Sequence, residues 1–132
     1  MTDHYHAIVW IDHHQARVIH LTTDTSDLIV VHPVQLTLNL HHKANTIGSG
    51  HAPEDQKFFH AVVAAIGTAG AVLITGPANA KNELVKHIEH HDRSLRERIA
   101  SIETLDHPSD GELTAHARKF FQAFDRMAPQ RM

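Results

Sequence analysis

The stretch AVLIT, residues 71–75, constrains the fold of this chain more than any other feature of its sequence. It is a short and almost continuously apolar run, which is typical of a strand buried on both faces of a sheet. Helical patterns flank it on both sides, PEDQKFFHAVVAAIG at 53–67 and NAKNELVKHIEHH at 79–91. Such alternation predicts parallel strands joined by right-handed crossovers, with helices covering the sheet.

Three predicted helices carry start signals and apolar stripes. Pro53 stands at a favoured first helical position, Asn79 is a candidate N-cap, and Ser109 with Glu112 has the spacing of a capping box at the start of a helix over 109–127. The stripes comprise Phe59, Val62, Val63 and Ile66, then Leu84, Val85 and Ile88, and finally Leu113, Phe120, Phe121 and Phe124.

The N-terminal part of the chain has strand patterns. HAIVWID (6–12) and QARVIHLT (15–22) are apolar or β-branched runs separated by two histidines, which favours a tight hairpin. DLIVVHPVQLTLNL (27–40) predicts a third strand, in which Pro33 indicates an edge position or a break. RIASIETL (98–105) predicts a later strand, although its first residues could extend a helix. The predicted order is βββαβαβα, an α/β fold whose mixed sheet begins with an antiparallel meander.

Length and composition exclude several classes of protein. A chain of 132 residues fits a single domain, 1–132, and 42% hydrophobic with 20% charged residues is typical of a soluble globular protein. The net charge of −3 argues against nucleic-acid binding over the whole surface, and the lack of cysteine excludes disulfides and thiolate metal sites. Because neither a membrane-spanning run nor a signal peptide is present, we predict a cytoplasmic protein.

The 15 histidines raise the question of a metal site. Adjacent pairs such as His41 and His42 rarely chelate one ion, because neighbouring side chains diverge on a strand or a helix. His87 with His90 or His91 has productive helical spacing, but no HExxH motif accompanies it. We therefore expect these histidines to form polar surface, and we expect neither a metal nor any other cofactor.

Two other kinds of site deserve a test. A three-strand meander followed by alternating helices and strands is the order of ribonuclease H-like domains, whose two-metal chemistry needs several converging carboxylates. Asp12 ends the first strand, but the end of AVLITG supplies no second acid.

TGPANAK (75–81) is a strand-to-helix turn in which backbone N–H groups and Lys81 could hold a phosphate. It lacks both GxxxxGK[ST] and GxGxxG, so nucleotide binding is not supported, and its spacing alone favours a plain connection between strand and helix.

VLITGPANAKNELVKHI resembles the strand–turn–helix of the middle domain of archaeal and eukaryotic class-I peptide release factors and of Pelota. IETLDHPSDGELTAHARKFF is similar to the closing segment of bacterial relatives of these factors, small proteins of the translational machinery type. The resemblance covers nearly the whole chain. It implies a ribonuclease H-like mixed sheet, and it implies that HHKANTIGSGH (41–51) occupies the position of the catalytic Gly-Gly-Gln loop.

That resemblance assigns the loop tip to Gly48, Ser49, Gly50 and His51. In the family, two glycines give the backbone its freedom and the glutamine helps to place a water molecule at the ester of peptidyl-tRNA. Neither register of this chain supplies that glutamine, and Gln56 follows too late. Residues 41–52 contain one sizeable apolar residue, Ile47, so we expect a flexible loop.

The resemblance implies a translation-associated protein that binds ribosome or tRNA without an intact Gly-Gly-Gln. The phosphate-contacting residues would be His41, His42, Lys43, Lys81 and Lys86. One alternative is a protein-binding or homo-oligomeric module of the same fold, which the negative charge and the missing glutamine favour. The other is a divergent peptidyl-tRNA hydrolase in which His51 orients water or acts as the general base.

Overall fold

The computed structural model describes residues 6–33 and 53–127. Its strands are β1 (His6–Ile11), β2 (Ala16–Leu21), β3 (Ser26–Val31), β4 (Ala71–Gly76) and β5 (Ile99–Thr104). Its helices are α1 (Pro53–Ile66), α2 (Ala80–His91), α3 (Arg93–Arg96) and α4 (Asp110–Met127). Apart from the short helix α3, the elements follow the predicted order. No helix within the described segments has the length and apolar character needed to cross a membrane.

The strands form one mixed sheet in the order β3-β2-β1-β4-β5. β1 pairs antiparallel with β2, and β2 antiparallel with β3, as expected of a meander. β4 lies parallel to β1, with Ile8 opposite Leu73 and Val9 opposite Ile74, and β5 lies parallel to β4. The predicted α/β mixed sheet is therefore confirmed, and the AVLIT run forms an inner strand.

β1 and β4 are buried from both sides because helices cover both faces of the sheet. On one face, Val9 and Ile11 of β1 belong to a core cluster that also contains residues of α1 and α2. On the other face, Ile8 and Trp10 pack with residues of α4 such as Leu113. Each fully buried aliphatic side chain of this kind stabilises the fold by about 1.5–3 kcal/mol relative to exposure.

The ends of the elements confirm one predicted cap and correct another. Ser109 and Glu112 form the capping box, since each backbone N–H donates to the other side chain, at 2.9 and 3.1 Å. Asn79 stands at the N-cap of α2, but its side chain makes no capping bond. Its φ of −90° and ψ of −10° are helical, whereas a capping side chain requires the extended backbone of a true N-cap. The Asn79 carboxamide contacts Asn82 and Glu83 instead.

Two segments differ in extent from the prediction. The sequence did not predict α3, a single turn capped by Asp92, whose carboxylate accepts from the backbone N–H of Leu95 at 3.1 Å. β3 ends at Val31 and lies at the edge of the described sheet, in agreement with the role expected of Pro33. The rest of that predicted strand, residues 34–40, lies outside the described residues.

Alanine substitutions at Gly76, the last residue of β4, and at Gly111 in α4 test how closely each glycine is packed. A Cβ atom at Gly76 would lie 2.2 Å from the carbonyl oxygen of Ile11, whereas one at Gly111 would meet nothing within 4 Å. We expect Gly76→Ala to lower the free energy of unfolding by about 1–3 kcal/mol. We expect Gly111→Ala, in the first turn of α4, to raise it by about 0.4–1 kcal/mol. Urea denaturation measures both, and equal effects at the two sites would contradict this packing.

Candidate functional site

The turn between β4 and α2 is held against the β1–β2 hairpin. Thr75, buried at the end of β4, donates its hydroxyl to the carbonyl oxygen of Val9 at 2.8 Å. Gly76 then passes so close to Ile11 that no side chain fits there. Beyond the turn, Glu83 of α2 contacts the imidazole of His13 in the hairpin, with 3.2 Å between Oε1 and Nε2. The first turn of α2 is thereby fixed at the carboxyl end of β1 and β4.

Two of the three lysines predicted to contact phosphate lie in the described residues, and they occupy different environments. Lys81 is buried, with 7% of its surface exposed, and its ammonium group donates to the carbonyl oxygen of Ala78 within the turn. Lys86 is exposed one and a half turns further along α2. Lys81 therefore braces the turn that TGPANAK forms, while Lys86 presents its charge to solvent.

Asp12, considered above as a nuclease carboxylate, shapes the hairpin. Its Oδ1 accepts from the backbone N–H groups of His14, at 2.7 Å, and Gln15, at 2.9 Å. This bonding closes the turn between β1 and β2. Asp12 therefore has a structural explanation at this position.

A cavity of about 250 Å³ opens between α1 and α2 on the outer side of one sheet face. Phe59 forms part of its apolar wall. The polar side chains that line it come from both helices: Gln56, Glu83, Lys86, His87, His90 and His91. All three of its histidines belong to α2, and His60 of α1 contacts two of them, His87 and His91, beside the cavity.

His87 lies at the centre of this histidine cluster, which comprises His60, His87, His90 and His91. The rings of His87 and His91 stack with centroids 4.3 Å apart and an angle of 20° between their planes. His60, which α1 contributes, meets His87 edge-on at 4.7 Å and His91 at 5.6 Å. His60 and His91 are exposed, whereas His87 has only 5% of its surface exposed.

Gln56 determines the protonation of His87. Its amide oxygen lies 2.8 Å from Nδ1 of His87, and because that oxygen can only accept, Nδ1 carries the proton. In the neutral ring Nε2 then has a free lone pair. Nε2 is buried and has no hydrogen-bond partner in the described part of the chain.

The surroundings of His87 disfavour its charged form. Burial lowers the pKa of His87 from 6.5 to about 4, with further lowering from the neighbouring imidazoles of His91, His60 and His90. His87 is therefore neutral at physiological pH, and both ring nitrogens have defined roles: Nδ1 donates to Gln56 and Nε2 can accept or ligate.

The loop residues singled out from the sequence lie outside the described residues. These are His41, His42, Lys43, Gly48, Ser49, Gly50 and His51, within the loop predicted at 41–52. The structure brings His87 and His91 together at i, i+4 spacing, and it corrects the expectation of polar surface for His87, which is buried. It also adds Gln56 and His60 of α1, which sequence reasoning missed. Their own i, i+4 spacing was a usable signal, but only the packing of α1 on α2 pairs the two sets.

Comparison with known proteins identifies the fold. No protein-family model matches the chain, and no curated protein sequence matches it either. Among solved structures, Pelota of Archaeoglobus fulgidus is similar with a TM-score of 0.61 and 11% identity over 87% of this chain. The archaeal translation termination factor aRF1 is similar with a TM-score of 0.55 and 14% identity over 93% of this chain.

Dom34 of S. cerevisiae is similar with a TM-score of 0.58 and 14% identity over 89% of this chain. Dom34 is a translation termination-like factor involved in RNA quality control pathways and interacting with Hbs1. The matches cover 31%, 39% and 34% of Pelota, aRF1 and Dom34, respectively. The chain thus spans about a third of the length of these proteins. At these identities the similarity establishes a shared fold.

The pKa of His87 predicts a pH dependence of stability. Between pH 6.5 and about 4 the unfolded chain protonates His87 while the folded protein does not, so acid favours unfolding. The contribution of the neutral ring is complete above pH 6.5 and is lost as the pH falls towards 4. This contribution is at most about 3.5 kcal/mol, because one pKa unit corresponds to about 1.4 kcal/mol, and it is smaller where water screens the cluster.

Urea denaturation in the presence of EDTA, from about pH 4.5 to 7.5, measures this effect by comparing wild type with His87→Leu. We expect a smaller loss of stability with acid in the variant, because it lacks the titrating ring. His14→Ala, which removes an exposed histidine from the hairpin turn, should keep the wild-type slope. An unchanged slope in His87→Leu would contradict the assignment.

Proposed function

We propose that this chain is a translation-associated binding protein that contacts ribosome or tRNA in the cytoplasm. The observation that carries the proposal is the shared fold with Pelota, aRF1 and Dom34 over 87–93% of the chain. aRF1 is a translation termination factor, and Dom34 is a termination-like factor involved in RNA quality control. The proposed role is binding rather than hydrolysis, because the sequence lacks an intact Gly-Gly-Gln.

The arrangement of elements supports a contacting loop at the start of α1. Residues 32–52 connect β3 to α1, and they include His41, His42, Lys43 and the glycine-containing tip at 48–51. The histidine and lysine side chains of this segment supply donors for phosphate oxygens, the usual targets of sequence-independent contacts. In this proposal the loop makes the main contact.

Helix α2 extends the proposed surface. It covers the same face of the sheet as α1, and its Lys86 is exposed. The ammonium of Lys81 is engaged by the turn, so this residue contributes by holding the turn rather than by leading the contact. Of these two lysines, Lys86 is therefore the better suited to touch phosphate.

Sucrose-gradient sedimentation of the epitope-tagged protein in a cell lysate tests this function. We expect the wild type to sediment with ribosomal fractions at low salt and to dissociate as salt is raised. Lys86→Ala should lower the affinity for purified ribosomes about twofold to fivefold and reduce its salt dependence by about one charge. Lys119→Ala removes an exposed lysine from α4 on the opposite face and should have no effect. Recovery of wild type only at the top of the gradient would refute the proposal.

The exposed edge of the sheet favours a second candidate, a module that associates with itself. β3 is an edge strand of the described sheet, and its Leu28, Ile29 and Val30 are 44%, 40% and 44% exposed. Next to it, a cavity of about 500 Å³ is lined by Leu28 together with Asp110 and Arg118. An apolar strand edge of this kind is a template for pairing with another strand.

Substitution at the edge separates the two candidates. If β3 pairs with β3 of a second copy, size-exclusion chromatography with light scattering should show a dimer for wild type. Ile29→Lys should then give a monomer, because charged side chains on an edge strand oppose pairing. Lys119→Ala again serves as the control and should keep the oligomeric state of the wild type. A wild-type monomer would exclude this candidate.

A further inference from the structure

The buried Nε2 of His87 lacks a hydrogen-bond partner, and nothing else in the described structure accounts for it. Within residues 6–33 and 53–127, it and Nε of Arg17 are the buried side-chain atoms without a hydrogen-bond partner. Arg17 still pairs through its other nitrogens with Asp110 and the carbonyl of Pro108. His87 has no such bond at Nε2, which leaves a buried lone pair without a partner.

Gln56 accepts a hydrogen bond from His87, as oxygen acceptors do from histidines that bind a metal. A metal-bound histidine usually donates its other ring N–H to an oxygen acceptor, which fixes the tautomer and the ring orientation. The bond from Nδ1 of His87 to the Gln56 amide oxygen does this at 2.8 Å. It leaves Nε2 as the available ligand atom.

The three imidazoles lie close enough to one another to reach one ion. With metal–nitrogen bonds of about 2.0–2.1 Å and tetrahedral angles, three ligating rings have centroids about 5 Å apart. The centroids of His60, His87 and His91 are 4.3, 4.7 and 5.6 Å apart. His87 and His91 also stand at i, i+4 on α2, the spacing at which a helix presents two ligands to one ion.

We propose that His60, His87 and His91 bind one divalent transition-metal ion of the zinc class between α1 and α2, with water as the fourth ligand. In the described segments no group of three or more histidines, aspartates and glutamates is arranged to hold a metal ion as it stands. The reason is visible in the rings: His87 and His91 stack at 20° instead of converging. Binding therefore rotates the two exposed rings, His60 and His91, about the buried and fixed His87.

The charges around the cluster do not prevent this binding. Glu83 and Lys86 both line the cavity, so their charges offset each other at its rim. Imidazole is a suitable ligand for zinc, cobalt and nickel without any thiolate, which agrees with a chain that has no cysteine. The inference stands independently of the proposed role in translation, because it uses only α1 and α2.

Titration of the untagged, EDTA-treated and dialysed protein with Co²⁺, followed by displacement with Zn²⁺, tests the site. We expect the visible bands of four-coordinate cobalt to saturate at one equivalent and to be lost when zinc is added. His60→Ala and His91→Ala, both at exposed positions, should weaken the binding of this equivalent more than about tenfold. The matched control is His90→Ala, whose Nδ1 faces the carbonyl oxygen of Lys86 and whose removal should change the affinity little.

Gln56 provides a second test that leaves all three ligands in place. Gln56→Ala should weaken binding about tenfold or more, and Gln56→Glu, which still offers an oxygen to Nδ1, should retain it. Three results would overturn the proposal: a wild type without a four-coordinate spectrum, equal affinity in all the variants, or an effect of His90→Ala as large as that of His91→Ala. The second result would place the metal on other histidines among the 15 of the chain.

Discussion

The parallel pairing of β1 with β4 is the constraint on which the rest of the structure depends. Both strands are buried from two sides, and the hydroxyl of Thr75 crosses between them to the carbonyl of Val9. Directly after it, Gly76 approaches Ile11 too closely for any other residue. This contact fixes where β4 ends, and therefore where α2 begins relative to the hairpin. Every site described on α2 takes its position from that point.

The packing of α1 on α2 brings polar groups together at the margin of an apolar core. Phe59, Val62 and Leu84 fill the interior of this layer, and the next side chains outward are Gln56 and the histidine cluster. A buried imidazole with an unpaired nitrogen costs free energy, because the nitrogen gives up its bonds to water. A more stable core would carry an apolar residue at position 87. The cost is understandable if the nitrogen has a use when an ion is present.

Sequence reasoning succeeded where the signal is local. AVLIT predicted an inner strand because an apolar run needs burial on both faces, and the capping box predicted the start of α4 because both partners lie within one turn. It failed at Asn79, because residue type alone does not reveal that the backbone there is helical. It also missed the meeting of His60 with His87, since that contact depends on how two helices pack.

The first turn of α1 links the two proposals, because it follows the loop predicted at 41–52 in the sequence and contributes Gln56 to the histidine cluster. In the release-factor family a glutamine places the attacking water, and Gln56 is the first glutamine after the loop tip of this chain. Its amide oxygen is engaged by His87 at 2.8 Å, and it lies within α1 rather than in the loop. A carboxamide has two acceptor lone pairs and two N–H donors, so this bond uses only part of the hydrogen-bonding capacity of Gln56. The observed geometry assigns the amide oxygen to the buried His87, and that bond explains why a glutamine stands at this position of α1.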